Sequence, residues 1–98
     1  MRFEWDPTKN ELNKAKHNIS FEIAESIFDD KNAVYLYDEI HSSDDDRYIV
    51  IGKEDTLRME ITVCHCYRDA DQEIIRIISA RKATHREIRI YMSGGIEE

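Results

Sequence analysis

Guanidinium groups crowd one short span of this chain. Arg76, Arg81, Arg86 and Arg89 stand with Lys82 in a stretch whose single acid is Glu87. An arginine offers a planar fork that grips two phosphate oxygens at once, and it stays charged at any cellular pH. The cluster runs against the rest of the sequence, because residues 1–75 hold nine basic and 18 acidic side chains and the 98-residue chain is net -7. Local positive charge in an acidic protein marks a candidate anion site. Lys16-His17 and Arg68 add cations from elsewhere in the order. Arginines with one lysine or histidine can cleave RNA without a metal. A base takes the 2′-hydroxyl proton, arginines hold the charge on the phosphorane, and an acid protonates the departing 5′-oxygen. Each residue also has a plainer use. His17 suits a helix C-terminus, Lys16 a solvated face, Arg68 an ion pair with Asp69 or Asp71, and Arg76 a cross-sheet pair. On composition alone, a solvated arginine face is the commoner outcome.

These cations need elements to hold them. Glu73–Ala80 carries an isoleucine run, β-branched and too short for a preferred helix, which predicts a buried strand. Thr84 with Glu87 three residues on is a capping box, so a helix over 84–92 follows at once. His85, Arg86 and Arg89 share a surface of that helix at three- and four-residue spacing. The arginines therefore gather where a strand gives way to a helix, whose free N-terminal amides add positive potential.

Upstream, Phe3 to Trp5 reads as a short extended segment. Asp6-Pro7 predicts a helix to about His17, with Leu12 and Ala15 as its buried positions and Asn18 as a left-handed stop. Ser20 caps a second helix from Phe21 to about Asp29, whose inner face is Phe21, Ala24, Ile27 and Phe28. Val34–Asp38, Arg47–Lys53 and Arg58–Tyr67 read as strands. In the last, Met59, Ile61 and Val63 alternate with Arg58, Glu60 and Thr62, a half-buried pattern. His41–Asp46 is a polar loop. Helix 84–92 packs Ile88, Tyr91 and Met92 on the sheet, and Ser93-Gly94-Gly95 leaves 96–98 as a loose tail. The expected architecture is α+β, one domain over 1–98: two N-terminal helices, a four-stranded antiparallel sheet and a C-terminal helix.

Several functions have no support in the sequence. Cys64-His65-Cys66 alternates across a strand and cannot present all three side chains to one ion, so no metal site is expected. No phosphate-cradling glycine loop, dinucleotide fingerprint or nucleophile elbow occurs, so no cofactor is expected. No run approaches the ~18 apolar residues of a membrane span. With no signal-peptide pattern and two cysteines poorly placed to bridge, a reduced cytoplasmic protein is expected.

A family resemblance runs through the same residues. Phe3-Glu4-Trp5-Asp6-Pro7, Asn13 with Lys16-His17, Ser20-Phe21-Glu22 with Ala24, and Arg76-Ile77-Ile78-Ser79-Ala80-Arg81-Lys82-Ala83-Thr84 resemble the BrnT toxins of bacterial type II toxin–antitoxin systems. The resemblance implies a RelE-like ribonuclease fold and RNA cleavage, on or off the ribosome, that shuts down translation. It also implies neutralisation by a DNA-binding antitoxin of the BrnA type, with operator DNA reached only through that partner. Carried over by position, Arg81 and Arg86 are the first candidates for catalysis, then Arg68 and Lys16, then His17. Lys82, His85 and Arg89 are candidate RNA contacts. The alternative is a non-catalytic module that binds an antitoxin and serves as co-repressor. The net charge of -7 argues against tight non-specific binding to nucleic acid, whose strength scales with phosphates neutralised.

Overall fold

The computed structural model describes residues 1–95, in which one sheet carries helices on both faces. In chain order the elements are β1 (Arg2–Glu4), α1 (Pro7–His17), α2 (Phe21–Ala24), β2 (Val34–Tyr37), β3 (Tyr48–Glu54), β4 (Met59–Tyr67), β5 (Ile74–Lys82) and α3 (His85–Met92). The strand order is β1-β5-β4-β3-β2. The antiparallel meander from β2 to β5 is as expected. A four-stranded antiparallel sheet is not, because β1 joins β5 in parallel and makes the sheet five-stranded and mixed. Three residues carry no readable period, and their partner lies at the far end of the chain.

The end signals hold. Asp6 caps α1, Asn18 closes it at φ 59°, Ser20 caps α2, and the Thr84–Glu87 capping box is complete. The second helix is shorter than expected: after Ala24 the chain tightens into a 3₁₀ turn over Glu25–Asp29. Its inner face of Phe21, Ala24, Ile27 and Phe28 packs on Val50, Ile61, Val63, Ile75, Ile77 and Ala80 as expected. Gly52 permits this approach, since a Cβ there would meet Ile27 Cβ at 2.9 Å.

Helix α1 corrects the hydrophobic reading. Leu12 is 65% exposed and Ala15 is exposed, whereas Asn10 and Asn13 are buried. Beyond Glu4 the edge of β5 has no strand partner, and α1 covers it. Asn13 Nδ2 donates to the carbonyls of Ala80 and Ile19, each at 2.8 Å, and its Oδ1 accepts from Ala80 N at 3.1 Å. An amide side chain here takes the place of a neighbouring strand. Buried backbone groups need such partners, so the inward face of α1 is polar.

On the opposite face α3 lies over Val34, Ile51 and Ala83, burying Ile90 with Ile88 and Tyr91 beside it. Met92, expected inside, is 76% exposed, because Ile90 takes the inward position on this short helix. Thr62, expected on the polar face opposite Met59, Ile61 and Val63, is 1% exposed beneath the Glu87 carboxylate that it bonds at 3.0 Å. The expected loose tail, 96–98, lies outside the described residues.

Cys64-His65-Cys66 alternates as anticipated. His65 faces the α2 side, ringed by Phe28, Tyr35, Tyr48 and Tyr67 at centroid distances of 5.0 to 6.1 Å. Burial pushes its pKa down to about 4. The unfolded chain therefore binds a proton near pH 6.5 that the folded one refuses, and stability falls as pH drops from 6.5 towards 4. The loss reaches about 3 kcal/mol. We expect the melting temperature to decline through this window and His65→Phe to flatten the upper part of it, checked by thermal melts from pH 8 to 4.

Candidate functional site

Helix α3 covers only one end of its face, and the strand register shows what the rest exposes. One cross-strand row runs Val34–Ile51–Thr62–Arg81, and the next runs Leu36–Ile49–Cys64–Ser79. Past these, Cys66 sits opposite Arg76, and Arg76 opposite Glu4. The face thus grades from apolar beneath α3 to cationic at its open end.

A bulge makes this possible. Arg76 and Arg81 are an odd number of residues apart, so strict alternation would put them on opposite faces. The β4–β5 pairing slips between Cys64 and His65: Ser79 pairs Cys64, Ile77 pairs His65, and Ile78 has no opposite residue. The extra residue returns both arginines to the open face, a use to which bulges are often put beside functional sites.

Two adjoining hollows lie there. The larger, about 700 Å³, is lined by Lys9, Arg47, Arg68 and Arg76, by Tyr48, Tyr67, Cys66 and Ile78, and by Asp45, Asp46 and Asp69 among others. The smaller, about 140 Å³, is lined by Asp38, His41, Arg47, Ile49, Thr62, Cys64, Ile78, Ser79 and Arg81. Arg47 and Ile78 belong to both and form the divide.

The arginines differ in how they are held. Arg81 grips Glu87 with two parallel bonds, Nη1 to Oε1 at 2.7 Å and Nη2 to Oε2 at 3.0 Å. Arg68 and Arg76 lie 3.6 and 3.9 Å from the same Glu4 carboxylate, so Arg68 pairs with β1 and not with Asp69 or Asp71. Each of these is a loose, solvent-screened pair. Arg47 has a buried Nε without a hydrogen-bond partner. Burial raises the pKa of the Cys64 and Cys66 thiols, which keeps them protonated and unsuited to nucleophilic attack. Among the described residues no group of three His, Cys, Asp or Glu is placed to hold a metal ion.

Of the candidate catalytic and RNA-contact residues named from the sequence, Arg68 and Arg81 come to the two hollows. Lys82 follows Arg81 at the end of β5, and His85, Arg86 and Arg89 lie on α3 outside both. Lys16 and His17 end α1. That helix runs alongside β5, with Lys9 at the larger hollow and Asn13 at Ala80, so its C-terminus points to the Arg81–Lys82 end. The sequence reading missed Arg47, Arg76 as a site residue, and the pair Asp38–His41, bonded at 2.8 Å. The last had a local signal, an aspartate and histidine three apart at the start of a polar loop, but the loop's closure was not legible.

Fold and site together define a small α+β protein with an arginine-lined trough on the uncovered part of its sheet. The chain belongs to the BrnT family, ribonuclease toxins of type II toxin–antitoxin systems, whose family model matches residues 5–87. The matched span includes every residue of the two hollows. No curated protein matches the chain. Among the described residues no helix is long and apolar enough to cross a membrane.

Proposed function

We propose that this chain is a metal-independent endoribonuclease, RelE-like in its working, that stops translation in the cytoplasm. It works as one domain over 1–98 and is neutralised by a BrnA-like antitoxin through which it reaches operator DNA. One observation carries the reading: Arg47, Arg68, Arg76 and Arg81 line two adjoining hollows on a face the helices leave open. Fixed guanidinium groups stabilise the charge that develops on a phosphorane, which is the principal need of RNA cleavage without a metal. Arg81 serves at the scissile group, and Arg68 supports the charge from the larger hollow beside it. Arg86, Lys16 and His17 complete the catalytic set, and Lys82, His85 and Arg89 hold the RNA strand on either side.

The purified protein is expected to cleave RNA, free or on ribosomes, with EDTA present. Arg68→Glu should lower the rate about 100-fold. Arg68 is 51% exposed and loosely paired, so the melting temperature should scarcely move. Induction in cells should arrest growth, relieved by the adjacent antitoxin gene. One observation favours the alternative of a non-catalytic co-repressor: the Arg81 fork is already occupied by Glu87. Intact RNA after incubation with wild type, alone and with ribosomes, would decide for it.

A further inference from the structure

The loop between β2 and β3 is built around three bonds that draw its ends together. Asp38 N donates to Arg47 O at 2.9 Å, Arg47 N to Ser42 Oγ at 2.8 Å, and Ser42 Oγ to Asp38 O at 2.6 Å. Closed in this way, the loop sets His41 on the wall of the smaller hollow. His41 Nδ1 lies 2.8 Å from Asp38 Oδ2. A carboxylate can only accept, so Nδ1 carries the proton and Nε2 keeps its lone pair. The Asp38 side chain is 14% exposed and that of His41 62%, which leaves the carboxylate fixed and the imidazole within reach of a ligand. Beside them the Nε–H of Arg47 is buried and unanswered. Arg47 also lines the hollow, and a guanidinium there favours an anionic oxygen.

We infer that His41, oriented by Asp38, is the general base of RNA cleavage, with the scissile phosphate seated in the smaller hollow between Arg47 and Arg81. This rests on the ribonuclease reading above and supplies the proton acceptor that the arginines cannot. A space of about 140 Å³ is too small for a nucleoside and suits a single phosphate group, while the adjoining space of about 700 Å³ takes a flanking nucleotide. His41 Nε2 removes the 2′-hydroxyl proton, and the 2′-oxygen bonds to phosphorus as the bond from phosphorus to the 5′-oxygen breaks. The electron pair leaves on that oxygen, which takes a proton from water at the open mouth, and His41 later returns its own proton to solvent. The products are a 2′,3′-cyclic phosphate end and a 5′-hydroxyl end. Arg47 and Arg81 face the phosphoryl oxygens. Asp38 is a positioning residue: it holds the ring and favours the imidazolium as it forms.

The test measures RNA cleavage in EDTA from pH 5 to 9, with the ends of the products identified and thermal melts run alongside. The charged and titratable groups facing His41 are Asp38, Arg47, Cys64 and Arg81. Wild type should lose rate towards acid. His41→Gln should fall at least ~100-fold, lose that acid limb and melt as wild type does. Asp38→Asn should fall at least ~10-fold with the limb displaced. Added imidazole should restore part of the activity of His41→Gly. Wild-type cleavage with His41→Gln within about threefold overturns the inference and leaves the ribonuclease reading standing. A His41→Gly protein that imidazole cannot restore overturns it too, leaving the pair a brace for the loop. RNA left intact by the wild type removes both.

Discussion

Asn13→Leu should cost about 3 to 5 kcal/mol and lower the melting temperature by ~20 °C, although it places an apolar side chain on a buried helix face. Three backbone groups depend on this one amide, the N–H and C=O of Ala80 and the C=O of Ile19. A leucine answers none of them, and each buried group left unpaired costs about 1–3 kcal/mol. Domains of this size have roughly 5–15 kcal/mol in total. Leu12→Lys should change stability by less than about 0.5 kcal/mol, since Leu12 already faces water at 65% exposure. A hydrophobic-face reading of α1 expects the reverse order. Thermal and urea melts of the two variants decide which force seats the helix. If Asn13→Leu matches wild type, the strand-edge contact is not what holds α1.

That contrast also explains which parts of the molecule were legible. The caps of α1, α2 and α3 could be read because a cap is a contract between residues a few positions apart. The meander could be read because β2 to β5 follow one another with short polar connections. The isoleucines of β5 declared a buried strand without reference to any partner. What escaped were features whose cause lies elsewhere in the chain. The inward face of α1 is polar because Ala80, far along the sequence, has an open backbone edge. Strand β1 is three residues with no pattern until Ile74 to Arg76 lie beside it. The common face of Arg76 and Arg81 depends on one residue of slippage at Ile78, and strict alternation would set them apart. Asp38 reads as the end of a strand and His41 as the start of a polar loop, because nothing local announces that Ser42 closes the loop back to Arg47.

The same principle makes Glu87 the second large effect, since this capping residue does more than cap. Its Oε1 accepts from Thr84 N at 2.9 Å, from Thr62 Oγ1 at 3.0 Å and from Arg81 Nη1 at 2.7 Å. Burial opposes its ionisation, yet the Arg81 guanidinium with the Thr84 and Thr62 donors holds its pKa down to about 2. A carboxylate held below its unfolded value of 4.5 stabilises the fold fully above that pH, and the benefit drains away as pH falls towards 2. Glu87→Ala should therefore cost about 3 kcal/mol at neutral pH and lower the melting temperature by ~15 °C, with a smaller difference from wild type in acid. Arg81→Ala should lose a large part of the same energy. The double variant should lose less than the sum of the two, by about 1–3 kcal/mol of coupling. This bears on function, because loss of cleavage in Arg81→Ala alone would confuse a weakened fold with a missing phosphate ligand. Glu87→Gln separates the two: it keeps an acceptor for Thr84 but releases Arg81 from a competing anion. Assayed well below its melting point, it should bind RNA several-fold more tightly than wild type, while Arg81→Ala binds it less. If Glu87→Gln and Arg81→Ala weaken binding alike, Arg81 serves to pin α3 to β5, and the phosphate must be held by Arg47, Arg68 and Arg76 without it.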